Sequence, residues 1–218
     1  MKRLARGVEG SSASSPRVEM RRAQLVDAMA STLRRGVVPT TLVDLAKFAE
    51  MSTATAYRYY QSLDEVAQAY LVRVMTELRD FDASRPETGR ELLRVVSRHW
   101  VGMVLEHGPV LVQIRSRRGF FDRLHGKVTS TVRGHEARKR ALCGVLAEEN
   151  LPASMQDDAA MLYNTMFDPR DILDLVNLRG LGADHVTDVL IEAFVGALKG
   201  WNLGIRTAES ATTKSAAK

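Results

Sequence analysis

The sequence has few of the residues that would indicate a secreted protein or a membrane protein. Its 218 residues include a single cysteine, Cys143, which excludes an internal disulfide and favours a reducing compartment. No apolar run approaches the roughly 18 residues that a membrane helix needs. The charged N-terminus lacks the apolar stretch of a secretory signal. We therefore expect a cytoplasmic protein that does not bind a membrane.

Motifs for catalysis and for metal binding are also missing. The five histidines do not form an HExxH pair, and there is neither a glycine-rich phosphate loop nor a G-x-S-x-G motif. Paired acids such as Glu148-Glu149 are adjacent in the chain, so their side chains point in different directions from a helix. We expect no enzyme activity, no catalytic residues, no metal site and no cofactor.

Strand patterns are scarce, whereas helical periodicity recurs along the chain. No segment alternates apolar and polar residues convincingly over the length of a strand. Apolar residues instead repeat at intervals of three and four, and capping residues stand before many of these runs. The pattern predicts an all-α protein with about nine helices.

The most informative segment covers residues 40–66 and reads TTLVDLAKFAEMSTATAYRYYQSLDEV. Thr41 is placed to cap a short helix, with Asp44 three positions later to complete the cap. Ser52 is placed to cap a second short helix, and Ser62 with Glu65 forms a capping box for a third. The first helix has an apolar face at i, i+3, i+4 and i+7 (Leu42, Leu45, Ala46, Ala49). This arrangement is typical of a helix-turn-helix, which presents its second helix to the DNA major groove.

The second short helix has an outward face suited to nucleic acid. At 100° per residue, one arc holds small polar groups, a phenol and a guanidinium (Thr53, Ala54, Tyr57, Arg58). Ala56 and Tyr60 lie away from that arc and are expected to pack inward. No carboxylate occurs between Met51 and Leu63. The alternative is that the two short helices are ordinary parts of an all-α protein that never binds DNA.

The charge distribution is consistent with a nucleic-acid partner. The formal net charge is +5, and the first 35 residues hold eight Lys and Arg against three acids. A basic surface attracts the phosphate backbone and makes binding dependent on salt. Such a run is equally typical of a solvated face, so it supports DNA binding without establishing it.

The segment resembles the tetracycline-repressor-like (TetR-like) family of bacterial regulators. The family signature is approximately T-x-x-x-[IL]-A-x-x-A-G-V-S-x-x-T-x-Y-x-[YH]-F. Nine positions match in register: Thr41, Leu45, Ala46, Ala49, Ser52, Thr55, Tyr57, Tyr59 and Tyr60, the last with Tyr for Phe. Glu50 replaces the turn glycine, Met51 replaces valine, and Leu63 replaces a lysine at the start of the next helix. The detailed resemblance covers about residues 17–72.

The resemblance implies roles for individual residues at DNA. Base edges would be contacted by Thr53, Ala54, Arg58 and Tyr59, and phosphates by Thr41, Thr55, Tyr57 and the backbone of Leu63, with Ser52 completing the set. Arg58 is the residue here able to make a bidentate contact to guanine, although a phosphate contact or a solvated charge is the alternative. Glu50 would be strained if the turn requires a positive φ.

The last helical patterns suggest a subunit interface. A seam of apolar and small residues runs along the final helix, and small side chains let another helix approach closely. TetR-like proteins dimerise through their last two long helices, which implies an interface made by Ile172, Leu175, Val186, Leu190, Ala193, Gly196, Ala197, Gly200 and Trp201. The alternative is burial within one subunit.

The family also encloses a small-molecule pocket among its middle helices. Such pockets are mostly apolar with a few polar groups. The candidates in this chain are Trp100, Met103, His107, Phe120, Phe121, Met161, Asn164, Thr165 and Phe167. Most of them would serve equally well as core residues.

These observations together predict a transcriptional regulator. We expect a repressor that binds a palindromic double-stranded operator as a homodimer and is released by a small-molecule effector. The alternative is an all-α ligand-binding or protein-interaction module whose helix-turn-helix does not read DNA. The expected parts are a mobile arm (1–14), a three-helix helix-turn-helix domain (15–63), a larger helical bundle for ligand binding, regulation and dimerisation (64–205, with a connecting helix at 64–81) and a disordered tail (206–218).

Overall fold

The computed structural model describes residues 15–113, 116 and 118–216, with the side chains of 109, 113 and 209–216 left aside. This part of the chain is all-α and contains no strand. Its helices are α1 (Pro16–Arg34), α2 (Leu42–Phe48), α3 (Thr53–Tyr59), α4 (Leu63–Ser84), α5 (Gly89–Gln113), α6 (Phe120–His125), α7 (Thr129–Glu148), α8 (Gln156–Met166), α9 (Pro169–Asn177) and α10 (Ala183–Ala216), with a 3-10 turn at Ala153–Met155. The predicted arm at 1–14 lies outside the described residues.

The predicted fold class is confirmed, and the helix count is slightly higher than expected. Ten α-helices and one 3-10 helix are described, against about nine in the prediction. Asp168-Pro169 is a capping pair in the sequence and separates α8 from α9, because the Asp168 carboxylate accepts the Arg170 N–H at 2.9 Å and Pro169 begins the new helix. The short α6 has no counterpart in the sequence prediction.

Helices α1, α2 and α3 form the predicted helix-turn-helix unit. Leu25 of α1 and Leu45 and Ala46 of α2 are fully buried where these helices meet. The Gln24 side chain donates a hydrogen bond to the Ala49 carbonyl at 2.7 Å, so α1 also holds the end of α2. The three helices therefore share one small core and fix the position of α3.

Helix α4 connects this unit to the larger bundle. Its sequence repeats apolar residues every four positions, which predicts a buried stripe, and all four of them are buried: Val66, Tyr70, Val74 and Leu78. The stripe packs against α1, α5 and α7. Because α4 begins directly after α3 and ends inside the bundle, a shift of either part would move the other.

Helix α5 extends beyond the end that its sequence suggested. Gly108-Pro109 reads as a stop signal, yet the helix continues to Gln113. Val110 and Leu111 are both buried, so tertiary packing overrides the local cost of the proline. Gly108 faces α9, where an added Cβ would come within 2.8 Å of the Leu173 side chain.

Helix α10 is the longest element, and it corrects the predicted tail. Disorder was expected over 206–218, but the helix runs on to Ala216. After Gly204 the sequence contains neither glycine nor proline, so nothing local interrupts the helix. None of the described helices has the combination of length and apolarity needed to cross a membrane.

Candidate nucleic-acid interface

The start of α2 is organised by Thr41 and Asp44. The Thr41 hydroxyl accepts the Asp44 N–H at 3.1 Å and donates to the Asp44 carboxylate at 2.7 Å. These bonds to Thr41, with smaller contributions from Thr40 and Lys47, lower the pKa of Asp44 below its ordinary value. Thr41 is exposed, as its predicted phosphate contact requires. The Thr41 hydroxyl would have to break its hydrogen bond to the Asp44 carboxylate before it could donate to a phosphate.

The turn between α2 and α3 keeps the left-handed conformation that the family's glycine provides. Glu50 has φ = 51°. The Met51 N–H bonds to the Ala46 carbonyl at 2.9 Å and the Glu50 N–H to the Lys47 carbonyl at 3.1 Å, which is a Schellman motif. The sequence left open whether the turn requires a positive φ at Glu50. The turn does require it, so Glu50 occupies a position that favours glycine.

Helix α3 begins at Ser52 and packs through its inner face. The Ser52 hydroxyl accepts the Thr55 N–H at 3.2 Å and lies 2.7 Å from the Thr55 hydroxyl. Ala56 and Tyr60 are buried, as predicted. The Arg22 guanidinium lies over the Tyr60 ring at 4.5 Å and ties α1 to the end of α3. The cap and these inner contacts fix the orientation of the outer face.

The outer face of α3 presents the side chains that the sequence placed there. Thr53, Ala54 and Arg58 are exposed, and Tyr57 keeps 49% of its surface accessible. Arg58 makes no ion pair with any other described residue, so its guanidinium is available to a ligand. Thr55 and Tyr59 are only half-exposed, and Tyr59 packs against the core. These two residues therefore have less surface to offer DNA than the prediction assumed.

The first turn of α4 lies next in sequence to α3. The Ser62 hydroxyl accepts the Glu65 N–H at 3.2 Å, and the Glu65 carboxylate accepts the Gln61 N–H at 2.8 Å. The carboxylate thus reaches one residue further back than in a regular capping box. The N–H of Leu63, in the first turn, has no helical partner, which is what a backbone contact to phosphate needs.

Comparisons with known proteins rest on structure alone. No protein-family model and no curated protein matches the sequence. Among solved structures, a tetR-family transcriptional regulator from Streptomyces coelicolor is 17% identical, with a TM-score of 0.55 over 92% of this chain and 99% of that chain. A TetR-like transcriptional regulator from Rhodococcus sp. RHA1 is 21% identical, with a TM-score of 0.51 over 91% of this chain and 100% of that one.

This chain has the TetR-like fold. A third similar structure, from Pseudomonas aeruginosa PAO1 and described provisionally as a transcriptional regulator, is 15% identical with a TM-score of 0.57 over 87% of this chain and 94% of that one. The likeness extends over nearly the whole of each protein. The TetR-like fold therefore includes the large bundle as well as the helix-turn-helix unit.

The TetR-like bundle encloses a cavity of about 100 Å³ among α4 to α9. Four of the nine predicted pocket residues line it: Trp100, Phe120, Asn164 and Phe167. The Trp100 indole donates to the Phe167 carbonyl at 3.1 Å and is thereby held at the cavity wall. The sequence prediction missed several residues of the lining, among them His135, Arg138 and Tyr163.

The other five predicted pocket residues lie elsewhere. Met103 and His107 are buried core residues, and the His107 ring packs edge-on against Tyr70 at 5.7 Å. Phe121 packs against its neighbour Phe120 and against His125, outside the cavity lining. Met161 and Thr165 lie on another side of α8, where the Thr165 hydroxyl bonds to the Met161 carbonyl at 3.0 Å. None of these five residues lines the cavity, because apolar spacing does not distinguish a cavity wall from a filled core.

The predicted dimer seam on α10 follows the border between buried and exposed faces. Val186 is fully buried within the subunit, and so is Ile172 of α9, so neither residue offers surface to a partner. Leu175, Leu190 and Ala197 are half-buried. The remaining four residues of the set are exposed: Ala193, Gly196, Gly200 and Trp201.

The exposed stripe of α10 also includes residues that the sequence prediction missed. Val189 has 45% of its surface accessible and Leu203 has 67%. A Cβ added at Gly196, Gly200 or Gly204 would meet nothing within 4 Å, so this side of the helix is open. The opposite side is held against α5 by ion pairs from Arg94 to Asp188 at 3.1 Å and from Arg98 to Asp184 at 2.9 Å.

Proposed function

We propose that this chain is a DNA-binding transcriptional regulator, a repressor that binds a palindromic operator as a homodimer and is released by a small molecule. The observation that supports it best is the outer face of α3. A capped short helix carries exposed Thr53, Ala54 and Arg58 and no carboxylate, on a unit whose inner face is fully packed. Such a helix matches the dimensions and chemistry of a major groove.

Dimerisation would supply the sequence specificity that one short helix cannot provide alone. Two copies related by a two-fold axis would place two reading helices in successive major grooves, about 34–36 Å apart. The proposed interface is the exposed stripe of α10, formed by Val189, Ala193, Gly196, Gly200 and Leu203, with Trp201 at its border. Its small residues would let the partner's helix approach closely, and its apolar residues would gain from burial. We keep the half-buried Leu175, Leu190 and Ala197 as further members of this interface and omit Ile172 and Val186, because both are core residues.

Control by a small molecule is supported by the position of α4. Leu71 and Met75 of α4 line the bundle cavity, and Leu63 at the other end of the helix adjoins α3. A molecule that binds one position of α4 better than another would change the spacing of the reading helices. Its effect on DNA affinity would equal its difference in affinity between the two positions.

A gel-shift titration tests the proposal with the DNA that flanks the chain's own gene. We expect binding to this DNA to exceed binding to random duplex of equal length, and both affinities to fall steeply with salt. Equal affinity for the two DNAs at every salt concentration would overturn the claim of operator recognition. No binding to either DNA at low salt would favour the module that does not read DNA.

A further inference from the structure

The cavity of the bundle contains a buried cation without a counter-ion. Arg138 of α7 lines the cavity and has no ion-pair partner among the described residues. Its Nη1 donates to the Gly134 carbonyl at 2.8 Å, within the same helix. Its Nε is buried and has no hydrogen-bond partner. Burial also lowers the pKa of the Arg138 guanidinium below its ordinary value.

Two aromatic rings hold the guanidinium in place. Its central carbon lies 4.9 Å from the centre of the Trp100 ring and 4.9 Å from that of the Tyr163 ring. Each ring is itself fixed, because Trp100 bonds to the Phe167 carbonyl and the Tyr163 hydroxyl lies 3.1 Å from the Ser97 hydroxyl. Cation–π contacts and a hydrogen bond with the Tyr163 side chain offset part of the cost of burying the charge, but the Nε atom still lacks a partner.

The wall around Arg138 carries polar groups but no acid. The cavity lining contains no aspartate or glutamate among the described residues. Thr131, His135 and Arg138 recur along one face of α7, and Asn164 lies on α8. The Nδ1 atom of His135 is likewise buried without a hydrogen-bond partner. Two unpartnered polar atoms thus belong to residues of one small cavity, which is rare in a filled core.

Most of the remaining wall is apolar and suits the body of a small organic molecule, with Ser116, Arg123 and Ser130 as its further polar residues. Leu71, Met75, Leu111, Phe120 and Leu142 contribute to the apolar part. The observed volume of about 100 Å³ is smaller than the roughly 150 Å³ of a cavity that holds benzene, so the cavity suits an organic ligand smaller than benzene. A cation at an apolar cavity favours a ligand with one negative charge on a compact apolar body.

We propose that the cavity binds a short-chain carboxylate, with Arg138 as its counter-cation. This rests on the proposed function, since the carboxylate would be the effector that changes DNA affinity. A planar guanidinium matches a carboxylate with parallel hydrogen bonds, and a lysine at the same position would supply only a point charge. The ligand would supply the partner that the Arg138 Nε lacks.

The test compares carboxylates with their uncharged amides on the full-length protein. Binding of acetate and propionate is measured by titration calorimetry and by the shift in melting temperature, beside acetamide and propionamide at equal ionic strength. We expect at least one carboxylate to bind and to raise the melting temperature, and its amide to bind about 10- to 100-fold more weakly. Equal binding of acid and amide, or no binding of either acid, would overturn the proposal.

Variants of α7 locate the charge that is responsible. Arg138→Met keeps an apolar contact with the two rings and should abolish the preference for the carboxylate, whereas Arg138→Lys should restore part of it. Arg133→Met is the matched control, because Arg133 lies on the same helix, pairs with Glu136 at 3.0 Å and does not line the cavity. An unchanged preference in a folded Arg138→Met protein would overturn the assignment. If that variant does not fold, the comparison of acid with amide on the natural chain decides.

A measurement of DNA binding in the absence of any carboxylate distinguishes failure of the effector assignment from failure of the regulator proposal. If the natural chain binds operator DNA but ignores the carboxylates, only the effector class is wrong. If it binds carboxylates but no DNA, the cavity assignment holds and the regulator proposal fails.

Discussion

Glu50 shows how one substitution can leave a turn intact at a cost in stability. Its φ of 51° lies in the left-handed region, where a side chain costs roughly 1–2 kcal/mol relative to glycine before the greater flexibility of unfolded glycine is counted. The Schellman bonds and the packing of α1 against α2 hold the turn in place. The chain thus keeps the geometry of the helix-turn-helix while it tolerates local strain.

We predict that Glu50→Gly stabilises the protein by about 1 kcal/mol. The gain comes from removal of the Cβ at a positive φ and should appear as a higher midpoint in chemical denaturation. Glu50→Ala is the control, because it removes the carboxylate but keeps the Cβ. An equal gain in both variants would show that charge, rather than backbone strain, is the source.

Arg58 is the residue on which the proposed sequence recognition would depend most. Its guanidinium is exposed on α3 and makes no ion pair with another described residue. We predict that Arg58→Ala weakens operator binding by roughly tenfold to hundredfold, with a smaller loss on random DNA. Competition gel shifts measure both affinities. Equal losses on the two DNAs would move Arg58 from the base-reading set to the phosphate set.

At the scale of elements, the junction of α5 and α7 depends on a close approach of two backbones. A Cβ added at Gly144 of α7 would come within 2.7 Å of the Gly89 nitrogen, which begins α5. The Glu148 carboxylate accepts the Arg90 N–H at 2.7 Å, so α7 also caps the first turn of α5. Neither helix can move away without loss of this bond.

We predict that Gly144→Ala destabilises the protein by about 1–3 kcal/mol, because backbone atoms cannot yield as a flexible side chain can. Gly102→Ala is the matched control, since Gly102 lies on an exposed side of α5 with nothing within 4 Å. That substitution should stabilise by about 0.5–1 kcal/mol through helix propensity. Urea denaturation shows whether each variant gains or loses free energy of unfolding. A stabilising Gly144→Ala would contradict the close approach of the two backbones.

The exposed stripe of α10 makes a prediction about assembly. Ala193→Arg would place a charged side chain in the centre of the proposed interface and should convert dimers to monomers with weak operator affinity. Light scattering gives the mass in solution. Ala83→Arg is the control, because Ala83 is an exposed alanine at the end of α4. A dimer mass unchanged by Ala193→Arg would place the interface elsewhere.

Across the whole molecule, sequence alone predicted what depends on local chemistry. The caps at Thr41, Ser52 and Ser62 and the buried stripe of α4 follow from residue type and helical spacing, and the structure confirms them. The border of the α10 seam did not follow, because packing of Ile191, Phe194 and Leu198 against other helices decides which side of a wide apolar helix faces its own subunit.

The cavity could be predicted only in part for the same reason. Its walls come from six helices that are distant in sequence, and spacing within one helix does not show which residues meet. One signal was available in the chain. Arg138 precedes the buried Ala141, Leu142 and Val145 by three, four and seven residues, and an arginine on such an apolar stripe indicates a charge that faces the bundle.

The central claim is that two copies of α3, held apart by a dimer, read DNA. It is tested most directly by sequencing the fragments that the purified full-length protein selects from a random DNA pool at low salt. The account predicts enrichment of an inverted repeat whose half-sites are separated by about 10 base pairs or a multiple of that. Absence of any enriched sequence, or enrichment of a single half-site without symmetry, would contradict it.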